Sequence, residues 1–179
     1  MEEARTTTDK LVRSVMSASP VTASPDTTVR EVARLLADAD VGALPVVNDG
    51  TLAGIVTDRD LVVRVLAAGR DLDTPIGEIA SGDLCTVTPD TPLEEAARLF
   101  GKAQVRRLPV VSEDGRLVGI VTQADLARNA DHELTGTAVA RISVPGRAAL
   151  AGQDRALADS YPASDPPSGS AGGGGLRRG

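Results

Sequence analysis

The residues best equipped for chemistry are a threonine and an aspartate three positions apart, and the chain contains this pair twice. Thr57 and Asp60 lie in GIVTDRDL, and Thr122 and Asp125 lie in GIVTQADL. A carboxylate beside a hydroxyl can accept charge-assisted hydrogen bonds from a polar ligand. The same spacing also fits a capping box, in which both side chains bind the first backbone N–H groups of a helix. The local sequence leaves both interpretations open.

A second set of candidate side chains is basic. Arg106 and Arg107 immediately precede the apolar stretch LPVV, and Arg59 lies between Thr57 and Asp60. Arginine presents a planar fork of donors that matches the oxygens of a phosphate group. The alternatives are a solvated arginine pair at a strand edge and, for Arg59, an i,i+4 charge pair on a helix.

The composition argues against several other classes of function. The chain has 179 residues, a net charge of −6 and 1% aromatic residues, so it repels nucleic-acid phosphates and offers few platforms for base stacking. Cys85 and His132, each the only residue of its type, cannot form an internal disulfide or a zinc site. We interpret them as a small apolar strand residue and a solvated residue at a helix end.

Catalysis and membrane association are also not expected. No GxGxxG fingerprint or Walker loop is present, and a Ser-His-Asp arrangement is not credible around one histidine near the end of the fold. The stretch MEEARTTTDK lacks the basic and apolar regions of a signal peptide, and no apolar run approaches membrane-spanning length. We therefore predict a cytoplasmic protein that is not an enzyme and has no metal, nucleic-acid or membrane partner.

An internal repeat organises the candidate residues. LPVV at residues 44–47 recurs at residues 108–111, a shift of 64 positions, and GIVT at residues 54–57 recurs at residues 119–122, a shift of 65. One residue is inserted in the turn between these motifs, NDG in the first copy and SEDG in the second. Two copies of one structural unit are therefore expected, with the Thr-Asp pair at the same place in each.

The sequence pattern of each copy predicts the order strand, helix, strand, strand, helix. Apolar residues at i, i+3, i+4 and i+7 predict one buried face on the first helix. These positions are Val29, Val32, Ala33 and Leu36 in the first copy and Leu93, Ala96, Ala97 and Phe100 in the second. Thr91-Pro92-Leu93-Glu94 predicts an N-cap, a proline at the first helical position and a capping box.

The strands that follow are predicted to be antiparallel, with tight turns at Asp49-Gly50 and Asp114-Gly115. Such a unit is an α/β sandwich with one sheet face that needs a partner, and the other copy is the obvious partner. We predict domains at residues 8–70 and 71–143. Residues 144–179 are rich in Pro, Gly and Ser and are predicted to form a disordered tail.

The ordered motifs resemble a pair of CBS motifs, also called a Bateman module. In the first copy they are VMSASPVTASPDTTVREVARLL, VGALPVV and GIVTDRDL, and in the second CTVTPDTPLEEAARLF, VRRLPVV and GIVTQADL. TDRDLVVRVLAAGRD is also similar to small stand-alone actinobacterial two-CBS proteins of the hypoxic-response type. The resemblance covers nearly the whole predicted folded part. It implies an α/β fold of tandem repeats related by a pseudo-twofold axis, and a homodimer.

The resemblance implies an adenosine-containing ligand, such as AMP, ADP or ATP, in a cleft between the motifs. Asp60 and Asp125 match the aspartates that accept hydrogen bonds from the two ribose hydroxyls, and Thr57 and Thr122 match hydroxyls in the same pocket. A cleft in this family combines the aspartate of one motif with basic residues of the other. The first cleft would contain Thr57, Arg59, Asp60, Arg106 and Arg107.

The second cleft would then lack a phosphate-binding charge, because Thr122 and Asp125 would lie opposite Gly42 and Ala43. The adenine base is expected against backbone and small side chains. Those of the first copy are Thr22, Ala23, Pro45 and Val56, and the second copy has a mirrored set.

Two functions follow from these patterns. The first is a non-catalytic sensor module in which an adenine nucleotide is a regulatory ligand, and whose output acts on an unidentified protein partner or through the tail. The alternative is a ligand-free structural or protein-interaction dimer, in which the Thr-Asp pairs only cap helices.

Overall fold

The computed structural model describes residues 10–144 of the chain. The predicted tail therefore lies outside the described residues from position 145 onward. The elements are β1 Ser17–Ala18, α1 Val29–Asp38, β2 Ala43–Asn48, β3 Thr51–Thr57, α2 Asp58–Asp60, α3 Leu93–Ala103, β4 Arg107–Val111, β5 Leu117–Thr122, α4 Gln123–Asn129 and α5 His132–Ile142. Short 3₁₀ turns lie at Val12–Ser14 and Ile76–Glu78, and α2 continues as a π-helix over Leu61–Leu66.

The strands form two small sheets, each built on the hairpin of one repeat. β2 pairs antiparallel with β3, and β4 pairs antiparallel with β5, which also pairs with β1. The turn between β2 and β3 has positive φ at both Asp49 and Gly50, 49° and 84°, as a two-residue type I′ turn requires. Gly115 in the second turn also has positive φ, 78°. The predicted hairpins are thus confirmed.

The leading strand predicted for each copy is reduced to one bridge. Ala23 pairs in parallel with Val46, and Val87 pairs in parallel with Val110. Pro25 and Pro89 follow two residues later. Proline has no N–H to donate, so it prevents the ladder from continuing along the chain. The rest of the predicted order, helix, strand, strand, helix, is present in both repeats.

The start of the first helix differs between the repeats. Thr28 caps α1 in a capping box with Glu31, and the donated N–H of Thr28 lowers the pKa of the Glu31 carboxyl. The capping box predicted at Thr91 is wrong, because α3 begins after Pro92 and has no side-chain cap. Thr91 Oγ1 accepts instead from the N–H of Thr88 at 3.0 Å, inside the preceding turn.

Each repeat has its own hydrophobic core, and each core takes residues from the segment that precedes the other repeat. Val12 is fully buried in the second core, and Ile76 and Ile79 are buried in the first. Backbone hydrogen bonds fix this exchange, from Val12 N–H to Thr91 O at 2.9 Å and from Ile76 N–H to Thr27 O at 2.8 Å. The predicted division between residues 70 and 71 stays a prediction.

The buried face of the first helix is confirmed in α3 and partly wrong in α1. Leu93, Ala96, Ala97 and Phe100 are all buried. Their counterparts Val29, Val32 and Leu36 are buried as well, but Ala33 is exposed. The second repeat carries the additional helix α5, which packs against α3 and places Ala138 in the same core as Ala97. Within residues 10–144, no helix is both long and apolar enough to cross a bilayer.

Replacing Phe100 with alanine should destabilise the protein by about 3–5 kcal/mol, since a fully buried aromatic ring is lost and a cavity remains. Urea unfolding followed by circular dichroism measures this change. Val41→Ala is the control, because Val41 is 42% exposed in a loop and should shift the midpoint little. Equal midpoints for the two variants would contradict the assignment of Phe100 to the second core.

Candidate functional site

A cavity of about 640 Å³ brings together residues from both repeats and from the segment that joins them. All five residues predicted for the first cleft line it: Thr57, Arg59, Asp60, Arg106 and Arg107. The first three lie where β3 runs into α2, and the two arginines lie at the start of β4. The structure thus places a hydroxyl, a carboxylate and guanidinium groups in the walls of one cavity.

Thr57 and Asp60 form a complete capping box. The backbone N–H and the hydroxyl of Thr57 both donate to Asp60 Oδ2, at 2.9 and 2.7 Å, and the N–H of Asp60 donates to Thr57 Oγ1 at 3.1 Å. The other carboxylate oxygen, Oδ1, lies 3.4 Å from Nε of Arg64, and the Asp60 side chain is 18% exposed. The cap therefore occupies one carboxylate oxygen, while the other has a longer contact, with Arg64.

Thr122 and Asp125 repeat the capping box, but they are not among the residues that line the cavity. Asp125 Oδ2 accepts from the N–H and hydroxyl of Thr122 at 2.8 and 2.7 Å. Its Oδ1 accepts from Nη2 of Arg128 at 2.7 Å, and the side chain is only 9% exposed. Both oxygens of Asp125 thus have close donors, which makes it a poorer acceptor for a further ligand than Asp60.

Arg107 is the basic residue with the most unusual surroundings. Its side chain is half-buried, and burial lowers the pKa of the guanidinium, an effect that Asp58 opposes and Arg106 reinforces. No residue between 10 and 144 forms a hydrogen bond or an ion pair within 4 Å with this guanidinium. A cation that is partly removed from water and lacks such a partner favours an anion in the cavity.

The predicted division between two clefts is wrong for Gly42. Gly42 lines the same cavity as Arg107, and a Cβ at this position would lie 3.3 Å from Asp58 Oδ2 and 3.8 Å from both Nη atoms of Arg107. The cause is the hairpin, because the start of β2 lies beside the end of β3 and Asp58 N–H donates to Gly42 O at 3.2 Å. Ala43, the next residue, is buried.

The residues predicted to surround the base do not come to this cavity. Thr22 is exposed, Ala23 and Pro45 are buried, and none of them lines it. Val56 is fully buried in the first core, whereas its neighbour Ile55 lines the cavity. Successive side chains of a strand point to opposite faces, and this alternation is the signal that could have selected Ile55.

Several residues that line the cavity were not predicted from the sequence. Asp58 and Asp83 add carboxylates, and Gln104 adds an amide at a position with positive φ, 53°. Cys85 also lines the cavity, half-buried and outside any strand, so its interpretation as a strand residue is wrong. His132 is exposed at the start of α5, as predicted. Among residues 10–144, no group of three or more His, Cys, Asp or Glu could hold a metal ion.

Two segments of the chain match the model of one protein family. The model of the CBS domain matches residues 12–67 and again residues 76–132. The chain belongs to the CBS-domain family. The two matches correspond to the two repeats, so the tandem CBS fold inferred from the motifs is confirmed.

Two bacterial relatives share most of this CBS pair. The CBS domain-containing protein YhcV of Bacillus subtilis is 43% identical over 133 residues, which is 74% of this chain and 94% of YhcV. Hypoxic response protein 1 of Mycobacterium tuberculosis is 40% identical over 119 residues, 65% of this chain and 82% of the relative. The resemblance to small two-CBS proteins of the hypoxic-response type is thereby confirmed.

Two similar solved CBS structures contain adenosine compounds. CBSX2 in complex with AMP has a TM-score of 0.59 and 33% identity, covering 66% of this chain and 93% of CBSX2. The CBS domain pair of protein MJ0100, in complex with 5′-methylthioadenosine and S-adenosyl-L-methionine, has a TM-score of 0.60 and 32% identity, covering 66% of this chain and 94% of the other. CBS pairs of this fold therefore bind adenosine-containing ligands.

Replacing Thr122 with alanine should lower the free energy of unfolding by about 1 kcal/mol, because the helix α4 loses its N-cap hydroxyl. Thr122→Ser keeps the hydroxyl and should stay close to the original stability. Urea unfolding of both variants measures the difference. If alanine and serine gave the same stability, the capping role of Thr122 would be refuted.

Proposed function

We propose that this CBS protein is a non-catalytic regulatory module that binds an adenosine-containing ligand, such as AMP, ADP or ATP, in the cavity between its repeats. The proposal rests on one observation above all. The cavity combines the carboxylate of Asp60 with the half-buried guanidinium of Arg107, which no hydrogen bond joins to another residue between 10 and 144. The adenosine ligands of CBSX2 and MJ0100 support the same class.

Capping and ligand binding are compatible at Asp60 because they use different oxygen atoms. Oδ2 holds the Thr57 cap, and Oδ1 is available to accept from ribose hydroxyls once its 3.4 Å contact with Arg64 loosens. A charged acceptor strengthens such bonds. We propose that Asp60 reads the ribose in this way, and that Thr57 holds the carboxylate in place.

The basic side chains would bind the phosphate end of the ligand. Arg107 is partly desolvated by burial, so an anion bound beside it would offset that energetic cost. Arg106 and Arg59 line the same cavity and would add donors. The cavity volume of about 640 Å³ lies within the range that small-molecule sites occupy. Ile55 and Pro109 offer the apolar wall that a base requires.

We assign a smaller role to the second Thr-Asp pair. Both oxygens of Asp125 already accept close hydrogen bonds, so Thr122 and Asp125 would serve mainly as a cap. Regulation would arise if the ligand binds one arrangement of the two repeats more tightly than another. The cavity is suited to this, because its walls come from both repeats.

Calorimetric titration with AMP, ADP and ATP tests the proposal. Arg107→Ala should weaken binding of at least one of the three by about tenfold or more, since a charge-assisted contact is lost. Asp60→Asn should also weaken it, because the neutral amide is a poorer acceptor. Arg98→Ala is the control, since Arg98 is exposed and pairs with Glu94 on α3. Absence of binding by the unmodified protein, or unchanged binding by Arg107→Ala, refutes the assignment.

A ligand-free structural or protein-interaction dimer is the second candidate. Two observations favour it: both capping boxes form entirely between residues of the chain, and three apolar side chains are exposed on the π-helix after α2. These are Val62, Val63 and Leu66, of which Leu66 is 73% exposed. Exposed apolar residues on one helical segment fit an interface with a second copy.

Leu66→Glu should convert such a homodimer to a monomer, because the charge would be buried without a partner at the interface. Sedimentation velocity measures the change. Leu72→Glu adds the same charge at another exposed leucine and should leave the dimer intact. A monomeric unmodified protein, or a Leu66→Glu variant that remains dimeric, would refute this interface.

A further inference from the structure

The charges that line the cavity are balanced. Its cations are Arg59, Arg106 and Arg107, and its carboxylates are Asp58, Asp60 and Asp83. A site built for a chain of phosphates would present an excess of positive charge. The cavity instead carries as many acids as bases, and two of these acids have no part in the ribose contact proposed for Asp60. These two acids are Asp58 and Asp83.

Asp58 lies next to the guanidinium that would bind a phosphate. Its Oδ1 accepts from the N–H of Arg59 at 2.7 Å. A Cβ placed on Gly42 would lie 3.3 Å from Oδ2 of Asp58 and 3.8 Å from both Nη atoms of Arg107. The carboxylate and the guanidinium are nevertheless too far apart to form an ion pair within 4 Å. Gly42 has no side chain beside these two groups, so a small anionic group that reached Arg107 would lie near a carboxylate.

Asp83 places a second carboxylate on the same cavity. It lies in the segment that joins the repeats and is exposed. No residue between 10 and 144 forms a hydrogen bond or ion pair with its side chain. Its charge is therefore not neutralised by a direct partner in the described part of the chain. It adds to the negative potential that a long anionic ligand would meet.

We propose that Asp58, assisted by Asp83, is a specificity-determining residue that selects adenosine ligands with at most one phosphate group over di- and triphosphates. This inference rests on the proposed function of the same cavity. One phosphate, or the carboxylate of an amino-acid substituent, is matched by Arg107 and Arg106. Among the described residues, Arg59 is the one further cation that lines the cavity, and its backbone N–H donates to Asp58. Each further phosphate therefore brings negative charge toward two carboxylates, Asp58 and Asp83, which outnumber that cation.

The electrostatic state of Arg107 agrees with this assignment. Asp58 raises the pKa of the Arg107 guanidinium against the lowering that burial causes. The negative charge of Asp58 thus offsets part of the positive charge of Arg107 that a ligand phosphate would otherwise neutralise. Removing it would leave Arg107 with a greater demand for a ligand anion.

Calorimetric titration with AMP and with ATP, each with and without Mg²⁺, tests the role of Asp58. The unmodified protein should bind AMP more tightly than ATP. Asp58→Asn keeps the size of the side chain but removes its charge, and should raise the affinity for ATP relative to AMP about tenfold. Asp83→Asn should change the ratio in the same direction by a smaller factor. It also provides an independent variant if Asp58→Asn folds poorly.

Asp26→Asn is the matched control. Asp26→Asn makes the same change in net charge as Asp58→Asn. Asp26 is exposed, does not line the cavity, and its side chain has no hydrogen-bond or ion-pair partner among residues 10–144. Its ratio of ATP to AMP affinity should equal that of the unmodified protein. If Asp26→Asn raised the ratio as much as Asp58→Asn, a general charge effect would replace the local one.

The remaining outcomes separate this inference from the proposed function. If Asp58→Asn and Asp83→Asn bind AMP and have the same ratio of ATP to AMP affinity as the unmodified protein, the selective role of Asp58 is overturned. The proposed nucleotide site is not affected by that result. Tighter binding of ATP than of AMP by the unmodified protein, with or without Mg²⁺, overturns the selective role as well. Failure of the unmodified protein and of Asp58→Asn to bind either nucleotide removes both the inference and the proposed function.

Discussion

The exchange of leading segments between the repeats is the constraint on which the rest of the structure depends. Val12 completes the core of the second repeat, and Ile76 with Ile79 completes that of the first. Burying an aliphatic side chain of this size stabilises a protein by about 1.5–3 kcal/mol. Each repeat therefore depends on the exchanged segment for part of its core. The exchange also carries the joining segment past β3, where Ile55 N–H donates to Ser81 O at 3.0 Å, and this brings Asp83 and Cys85 into the cavity wall.

The Thr-Asp pairs show how one motif can serve stability and binding together. In both repeats the threonine and one carboxylate oxygen cap a helix. The repeats differ in the other carboxylate oxygen, Oδ1. In the first repeat, Oδ1 of Asp60 lies 3.4 Å from Arg64, whereas in the second, Oδ1 of Asp125 accepts a hydrogen bond from Arg128 at 2.7 Å. A cap therefore does not argue against a ligand site. What distinguishes the two aspartates is the surroundings of the oxygen that the cap leaves unused.

The position of the cavity between the repeats bears on the regulatory function that we propose for this CBS pair. Its walls come from β3 and α2, from the joining segment and from the start of β4, so a ligand bound there would touch both repeats at once. Such a ligand can shift the balance between two arrangements only by binding them with different affinity. Arg107 and Asp58 approach each other across Gly42 at this junction, so a small relative movement would change their separation and with it the affinity for an anion.

The sequence by itself determined the local features of this protein and the family to which it belongs. The apolar spacing of α3, the Asp-Gly turns and the Thr-Asp caps were all predictable, because their hydrogen bonds and faces join residues only a few positions apart. The five residues predicted for the first cleft were selected by their positions in the family motifs, and all five line the cavity. Their part in ligand binding stays a prediction. Errors arose where a prediction extended such a rule without its context, as at Thr91 and Ala33.

Only the tertiary structure decided which residues share the cavity and which segments complete each core. Gly42 lines the same cavity as Arg107 because the hairpin places it beside Asp58. Ile55 lines the cavity and Val56 does not, because successive side chains of a strand point to opposite faces. Asp58, Asp83 and Cys85 have no local signature, since their role depends on contacts between segments far apart in the chain. Local patterns encode local hydrogen bonds, whereas the charge and shape of a cavity arise only when distant segments pack together.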